Sequence, residues 1–415
     1  MNKNIIIKFK NGIKPIDVII CLPLLFCFIS AVFPPLRVRG NNALYCLICY
    51  FVWLVFTFLQ NRNWYLRSGK NSISCFFFII YTCCIPYLFG SGVIANRYIS
   101  LMLMPLGYII YNYYKENKKL HVIKVMINIV MIFILITFFR TFFGLLDNPY
   151  LSRSIKSVGE YSKTVLSMGY GGYEFAYFIT LISMFLFQLF LTSKSAVKKT
   201  LYITTYILSV IFVLLSNYFT AFILILLSVG ILIFSKFRSK TKWVLLIVLI
   251  ILFLVLSESV LGIILDILGN HFTKGKLYYR LSEMEGAFLN SFMKDFTADR
   301  LPTLYKSLNT IYQYPLLGLI TTKMDMVNIS IEDYNFGQHS HILDSFALFG
   351  IAVGIWNLFI CFKVFNKKYF KSRYKNLSYA FLCSVIILLT FNNLVPACCM
   401  VITIFYPYFM DKSEE

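Results

Sequence analysis

The chain contains four histidines, and two of them, His339 and His341, stand two positions apart in Gln338-His339-Ser340-His341-Ile342-Leu343-Asp344, at the entry to a long apolar run. A neutral imidazole near pH 7 can take a proton from a hydroxyl, or orient that hydroxyl for attack. Upstream lie Arg280 and Arg300, whose planar forks suit pairs of oxygens on a phosphate or diphosphate. Arg140 stands inside an apolar run, Thr137-Phe138-Phe139-Arg140-Thr141-Phe142-Phe143, and Glu174 follows the glycine-rich turn Gly169-Tyr170-Gly171-Gly172-Tyr173. These are the groups needed to move something from a diphosphate carrier to a hydroxyl: cations for the leaving diphosphate and a proton acceptor for the hydroxyl. Each also has a plain reading. The histidines and loop arginines can be interfacial or solvated, Arg140 can snorkel to the membrane surface, and Glu174 can serve a helix start.

The elements that must position these residues are membrane-spanning helices. Of the 415 residues, 59% are hydrophobic and 14% charged, and the mean hydropathy is +0.73; a soluble domain is nearer half apolar and a quarter charged. The net charge of +21 does not mark a nucleic-acid footprint, because the basic residues fall between apolar runs, where they act as topology signals. The eleven cysteines lie in or beside those runs and indicate neither a disulfide framework nor a zinc site. No Asp-x-Asp pair is present, and Glu283-x-Glu285 on a helix would point its carboxylates apart, so no metal site is expected.

A helix needs about 20 apolar residues to cross a bilayer. That rule predicts twelve spans, near 18–35, 43–59, 72–90, 98–114, 125–146, 173–192, 200–216, 218–234, 243–264, 339–362, 377–394 and 396–410. The first run follows a basic arm without a clear small-x-small cleavage site and is expected to be a retained span. Alternate connections divide the basic residues 25 to 13, with Arg140 inside a span, which predicts that both termini are cytoplasmic. The chain then divides into residues 1–257, carrying nine spans and a smaller outer loop at 147–172; a large outer loop at 258–338; and residues 339–415, carrying the last three spans and a cytoplasmic tail.

The large loop holds nine of the eighteen acidic residues. Within it Leu277, Leu281, Met284, Phe288 and Phe292 recur at helical spacing, the pattern of a helix lying on an apolar surface. A second helix is expected from Asp299, with Pro302 in its first turn and Leu301, Leu304, Leu308 and Ile311 as its apolar face. At such a face no ATP is at hand, so any group transfer must use a donor activated beforehand, and a lipid-linked diphosphate meets that need.

The run His339-Ser340-His341-Ile342-Leu343, with Gly350 eleven residues after His339, resembles the signature of the O-antigen polymerases and ligases, in which a His opens a span as H-[NS]-x-x-L. Arg300, Tyr305, Pro315 and Gly318 resemble the R…W/Y…hPllG segment of the same superfamily. The final glycine, Gly354, falls at +15 where many members have +14. An R-x10-G pattern is not found, since Thr164, Ser291 and Ile311 follow Arg153, Arg280 and Arg300 at that distance.

The resemblance implies an all-α, GT-C-like polytopic bundle of about 12 transmembrane helices in the bacterial inner membrane, with its site facing the periplasm. It implies a polymerase that moves an undecaprenyl-diphosphate-linked glycan onto a new lipid-linked repeat unit, without a cofactor or metal. With the resemblance, His339 and Arg300 would be catalytic and Arg280 and Arg300 would hold the diphosphate; Glu174, as an alternative catalytic proton acceptor, and Arg140, as a further cation for the diphosphate, are candidates by their own positions at the glycine-rich turn and inside an apolar run. His341 is a secondary candidate, expected on the opposite helical face from His339. The expected partners are the lipid-linked donor and acceptor, membrane lipids and a Wzz-type chain-length protein; nucleic acid is not among them. The rival readings are an O-antigen ligase, which differs in acceptor, and a lipid-linked oligosaccharide flippase, which would place ionisable groups near mid-membrane and show two similar halves.

Overall fold

The computed structural model describes residues 15–38, 42–67, 69–88, 95–148, 151–155, 160–216, 218–234, 301–321 and 339–412. Every regular element among them is helical, with no strand. By length and composition, four helical stretches among the described residues, Leu120–Asp147, Tyr173–Thr192, Ala196–Leu215 and His341–Phe362, are sufficient to cross a membrane, the last of them interrupted at Gly350. Shorter apolar helices surround them, and large apolar side chains such as Leu59, Phe77, Ile132 and Phe143 lie exposed on the outside. The chain therefore has the architecture of a helical membrane protein, in which such a surface meets lipid and not water. The expected span at 243–264 and the expected helix through Leu277–Phe292 lie outside the described residues.

Helix α1 (Pro15–Val32) packs on α3 (Asn42–Gln60) and α7 (Leu120–Asp147), with the short α2 (Pro34–Val38) between α1 and α3 in sequence. The short α4 (Arg62–Arg67) precedes α5 (Gly69–Leu88), which packs on α6 (Ala95–Glu116), and Pro86 and Pro105 lie within α5 and α6. The short α8 (Leu151–Ser154) follows α7, the short α9 (Glu160–Ser167) returns over α2, and the glycine-rich turn then starts α10 (Tyr173–Thr192), which packs on α11 (Ala196–Leu215) and α12 (Phe219–Phe234). Helices α13 (Leu301–Gln313), α14 (His341–Phe362) and α15 (Lys375–Phe391) follow, and a last rod begins with Pro396 in its first turn and passes through a π-helical turn, Val401–Phe405, to Lys412.

Polar contacts gather at opposite ends of this bundle. At one end Lys119 pairs with Asp17 at 2.7 Å, Trp64 donates to Glu116 at 2.8 Å, and Asp411 accepts from Lys115 at 2.5 Å and Tyr111 at 2.6 Å and also from Lys368. These residues belong to the connections that the charge count places on one side. At the other end stand Arg37, from a connection on the opposite side, and Glu174, Tyr218, Asp344 and Asn392, from the ends of expected spans that border that side.

Helix α14 differs from the straight span expected at 339–362. It starts at His341, with Ser340 as the N-cap whose hydroxyl accepts from the Leu343 amide at 3.3 Å. Gly350 has φ 75° and ψ 173°, a conformation open essentially to glycine alone. Beyond it the chain folds back: Asn357 Nδ2 donates to Ser345 Oγ at 2.8 Å, and Cys361 Sγ lies 3.7 Å from His341 Nε2. A straight helix would hold those pairs about 18 and 30 Å apart. Gly354 permits the two halves to pack, since a Cβ there would meet the Phe346 ring at 2.3 Å. The apolar run is thus two half-helices side by side, joined at Gly350.

Candidate functional site

His339 lies just before the Ser340 cap and is half-buried. It is outside the helix, so the expectation that His339 and His341 oppose each other on one helical wheel does not apply. His341 is fully buried where the two halves of α14 meet; its amide donates to the Asn392 carbonyl at 3.2 Å, and its Nδ1 has no hydrogen-bond partner among the described residues. That placement puts His341 inside the hairpin.

Three residues along, Asp344 is 1% exposed. Its Oδ1 accepts from Ser307 Oγ at 2.8 Å and its Oδ2 from Asn393 Nδ2 at 2.9 Å. A buried carboxylate is costly unless it is hydrogen-bonded, and this demand explains the orientation of α13. Of the expected apolar face, Leu304 and Ile311 are half-buried and Leu308 is exposed, while the polar Ser307 and Thr310 are buried. Past α13, the segment Pro315-Leu316-Leu317-Gly318 runs against the bend of α14, where the Ile351 amide donates to the Pro315 carbonyl at 2.9 Å. Gly318 also has a positive φ, 67°. The two sequence segments that carry the family resemblance are therefore in direct contact.

Glu174 stands in the first turn of α10, as expected, but its carboxylate is engaged. Arg37 Nη2 donates to Glu174 Oε1 at 2.6 Å, and Arg37 Nη1 donates to Oε2, a fork-on-fork ion pair. The Glu174 charge raises the Arg37 guanidinium above its ordinary range. The pair borders a cavity of about 160 Å³, with Ser30, Pro34, Ile155, Gly172 and Tyr173 among its walls. The glycine-rich turn is fixed by the Gly171 amide donating to Thr141 Oγ1 at 2.7 Å and by Ser152 Oγ donating to the Gly171 carbonyl at 3.1 Å. Arg140 is exposed, with its guanidinium 5.6 Å from the centre of the Tyr170 ring, a cation–π distance.

The two groups of residues share one end of the bundle. Tyr177, one turn beyond Tyr173, donates to Asn392 Oδ1 at 3.4 Å, and the Asn392 carbonyl holds the His341 amide. Asn393, its neighbour, holds Asp344. Arg280 and Arg300 lie outside the described residues; the described part of α13 begins at Leu301. The sequence reading missed Arg37, counted only as a topology charge, and Asp344 with Asn392 and Asn393. A carboxylate inside an apolar run was the available signal for Asp344, because ionisable groups in such runs mark sites by default.

No protein-family model, curated protein or solved structure matches the chain.

Proposed function

We propose that the chain is an inner-membrane glycosyltransferase that polymerises lipid-linked oligosaccharide repeat units at the periplasmic face, with a bundle of about twelve apolar segments, one of which, α14, is folded back on itself. The observation that carries this reading is the contact between the Pro315–Gly318 segment and the bend of α14, which supports treating the two motif segments as parts of one site. The growing glycan leaves its carrier diphosphate and joins a hydroxyl on the terminal sugar of a new unit. His339 accepts the proton from that hydroxyl or orients it, and Arg300, with Arg280, neutralises the departing diphosphate. A Wzz-type protein sets chain length. The transporter reading fits less well, since ionisable groups such as Arg37, Glu174 and Arg140 gather at one end of the bundle.

The test is a strain lacking this chain. Loss of the glycan ladder, restored by the wild-type chain, supports a polymerase. Retention of lipid-linked polymer with loss only of its attachment to lipid A-core points to the ligase, and accumulation of single repeat units on the cytoplasmic side points to the flippase.

A further inference from the structure

Arg37 and Glu174 form a paired charge where an enzyme that handles phosphates would want a free cation. The Arg37 side chain retains 39% of its accessible surface and Glu174 14%, so the pair is reachable from outside the bundle. It borders a cavity of about 160 Å³, walled by α2 and by the start of α10. Both carboxylate oxygens occupy the two terminal nitrogens of the guanidinium, the donors that a phosphate would use with the same fork geometry. A carboxylate carries one negative charge, whereas a terminal phosphate carries about 1.5 to 2.

We propose that Arg37 is a binding residue for a phosphate-bearing anion of the diphosphate class, and that Glu174 is its internal competitor, occupying the fork until the anion displaces it. The assignment rests on the reading of the chain as an enzyme of diphosphate carriers only for its physiological ligand; the exchange of one anion for another is a property of the pair and its cavity. Glu174 becomes available to accept a proton only when the fork has been taken from it, which ties its release to occupancy of the site.

The experiment measures binding to the full chain in neutral phosphatidylcholine nanodiscs, using two probes, inorganic diphosphate and a polyprenyl diphosphate. Glu174→Gln removes the competing charge while keeping the shape, and binding should tighten about 2- to 5-fold, the effect of a partly exposed ion pair. Arg37→Gln combined with Glu174→Gln leaves no unpaired charge in the fold and should weaken binding at least about 10-fold relative to Glu174→Gln alone. Tightening seen with both probes assigns the site to the anion itself, and tightening seen only with the polyprenyl form assigns it to a lipid headgroup. Unchanged or weaker binding by Glu174→Gln, or double-variant affinity equal to that of Glu174→Gln, overturns the proposal. If these shifts are found while wild-type protein fails to extend glycan chains, the polymerase reading fails and the anion site stands.

Discussion

The backbones of Gly318 and Gly350 touch. A Cβ added to Gly318 would lie 2.3 Å from the Gly350 amide nitrogen, and one added to Gly350 would lie 2.1 Å from the Leu316 carbonyl oxygen. Both glycines also have positive φ, 67° and 75°. Gly350→Ala therefore meets two penalties: a backbone conformation that costs other residues roughly 1–3 kcal/mol, and an overlap with main chain that no rotamer change relieves. The expected result is a marked loss of folded, monodisperse protein after detergent extraction. Gly354→Ala should be milder, because the first atom it meets belongs to the Phe346 ring.

Ser307→Ala should destabilise the protein without removing any apolar contact. It takes away the hydroxyl that donates to Asp344 Oδ1 and leaves a buried carboxylate short of a donor, at a cost of about 1–3 kcal/mol. A lowered thermal midpoint in detergent checks this. Ser307→Thr, which keeps the donor, should recover most of the loss.

The helical class and the long apolar helices are legible in the sequence because burial in lipid requires long apolar runs, and the glycine-rich turn with Glu174 after it is legible as a helix start. The fold-back of α14 is not, because hydropathy averages across Gly350 and a bent run has the same composition as a straight one. The burial of Ser307 and Thr310 on α13 is not legible for a related reason: a periodicity of leucines cannot reveal that one buried aspartate will draw Ser307 toward it. Arg37 was invisible as a site residue because its partner is 137 positions away, and a loop arginine in a basic chain reads as a topology charge.

Stability should depend on pH through Asp411. Burial alone would raise its carboxyl, but hydrogen bonds from Lys115, Lys368 and Tyr111 outweigh burial and hold it below the ordinary value. A carboxyl lowered on folding adds stability that is present above its unfolded value, about 3.9, and is lost as pH falls through the folded value. Asp411→Asn should thus lower the thermal midpoint at pH 7, and the gap from wild type should close as the pH is taken below about 3.9. A gap that widens on acidification would contradict this assignment.

Arg300→Lys is expected to lose glycan polymer while the protein stays in the membrane, since an ammonium is a point charge and does not reproduce a bidentate fork on a diphosphate. One such contact to a developing charge is worth about 2.7–4 kcal/mol, or roughly 100- to 1000-fold in rate. A full-length glycan ladder at normal protein abundance would remove Arg300 from the site.

His339 stands outside α14, beside the Ser340 cap, while His341 is buried between the two halves of that helix. The decisive measurement is chain extension by purified protein supplied with lipid-linked repeat units, with EDTA present, for wild type, His339→Ala and His341→Ala at equal amounts of folded protein. Wild type should extend chains, since the proposed chemistry calls for no metal. His339→Ala should be slower by about 100- to 10,000-fold, the usual effect of removing a general base, and His341→Ala should retain its rate per folded molecule while melting earlier. Extension undiminished in His339→Ala, or lost in His341→Ala alone, would contradict the assignment of His339 as the group that handles the acceptor proton.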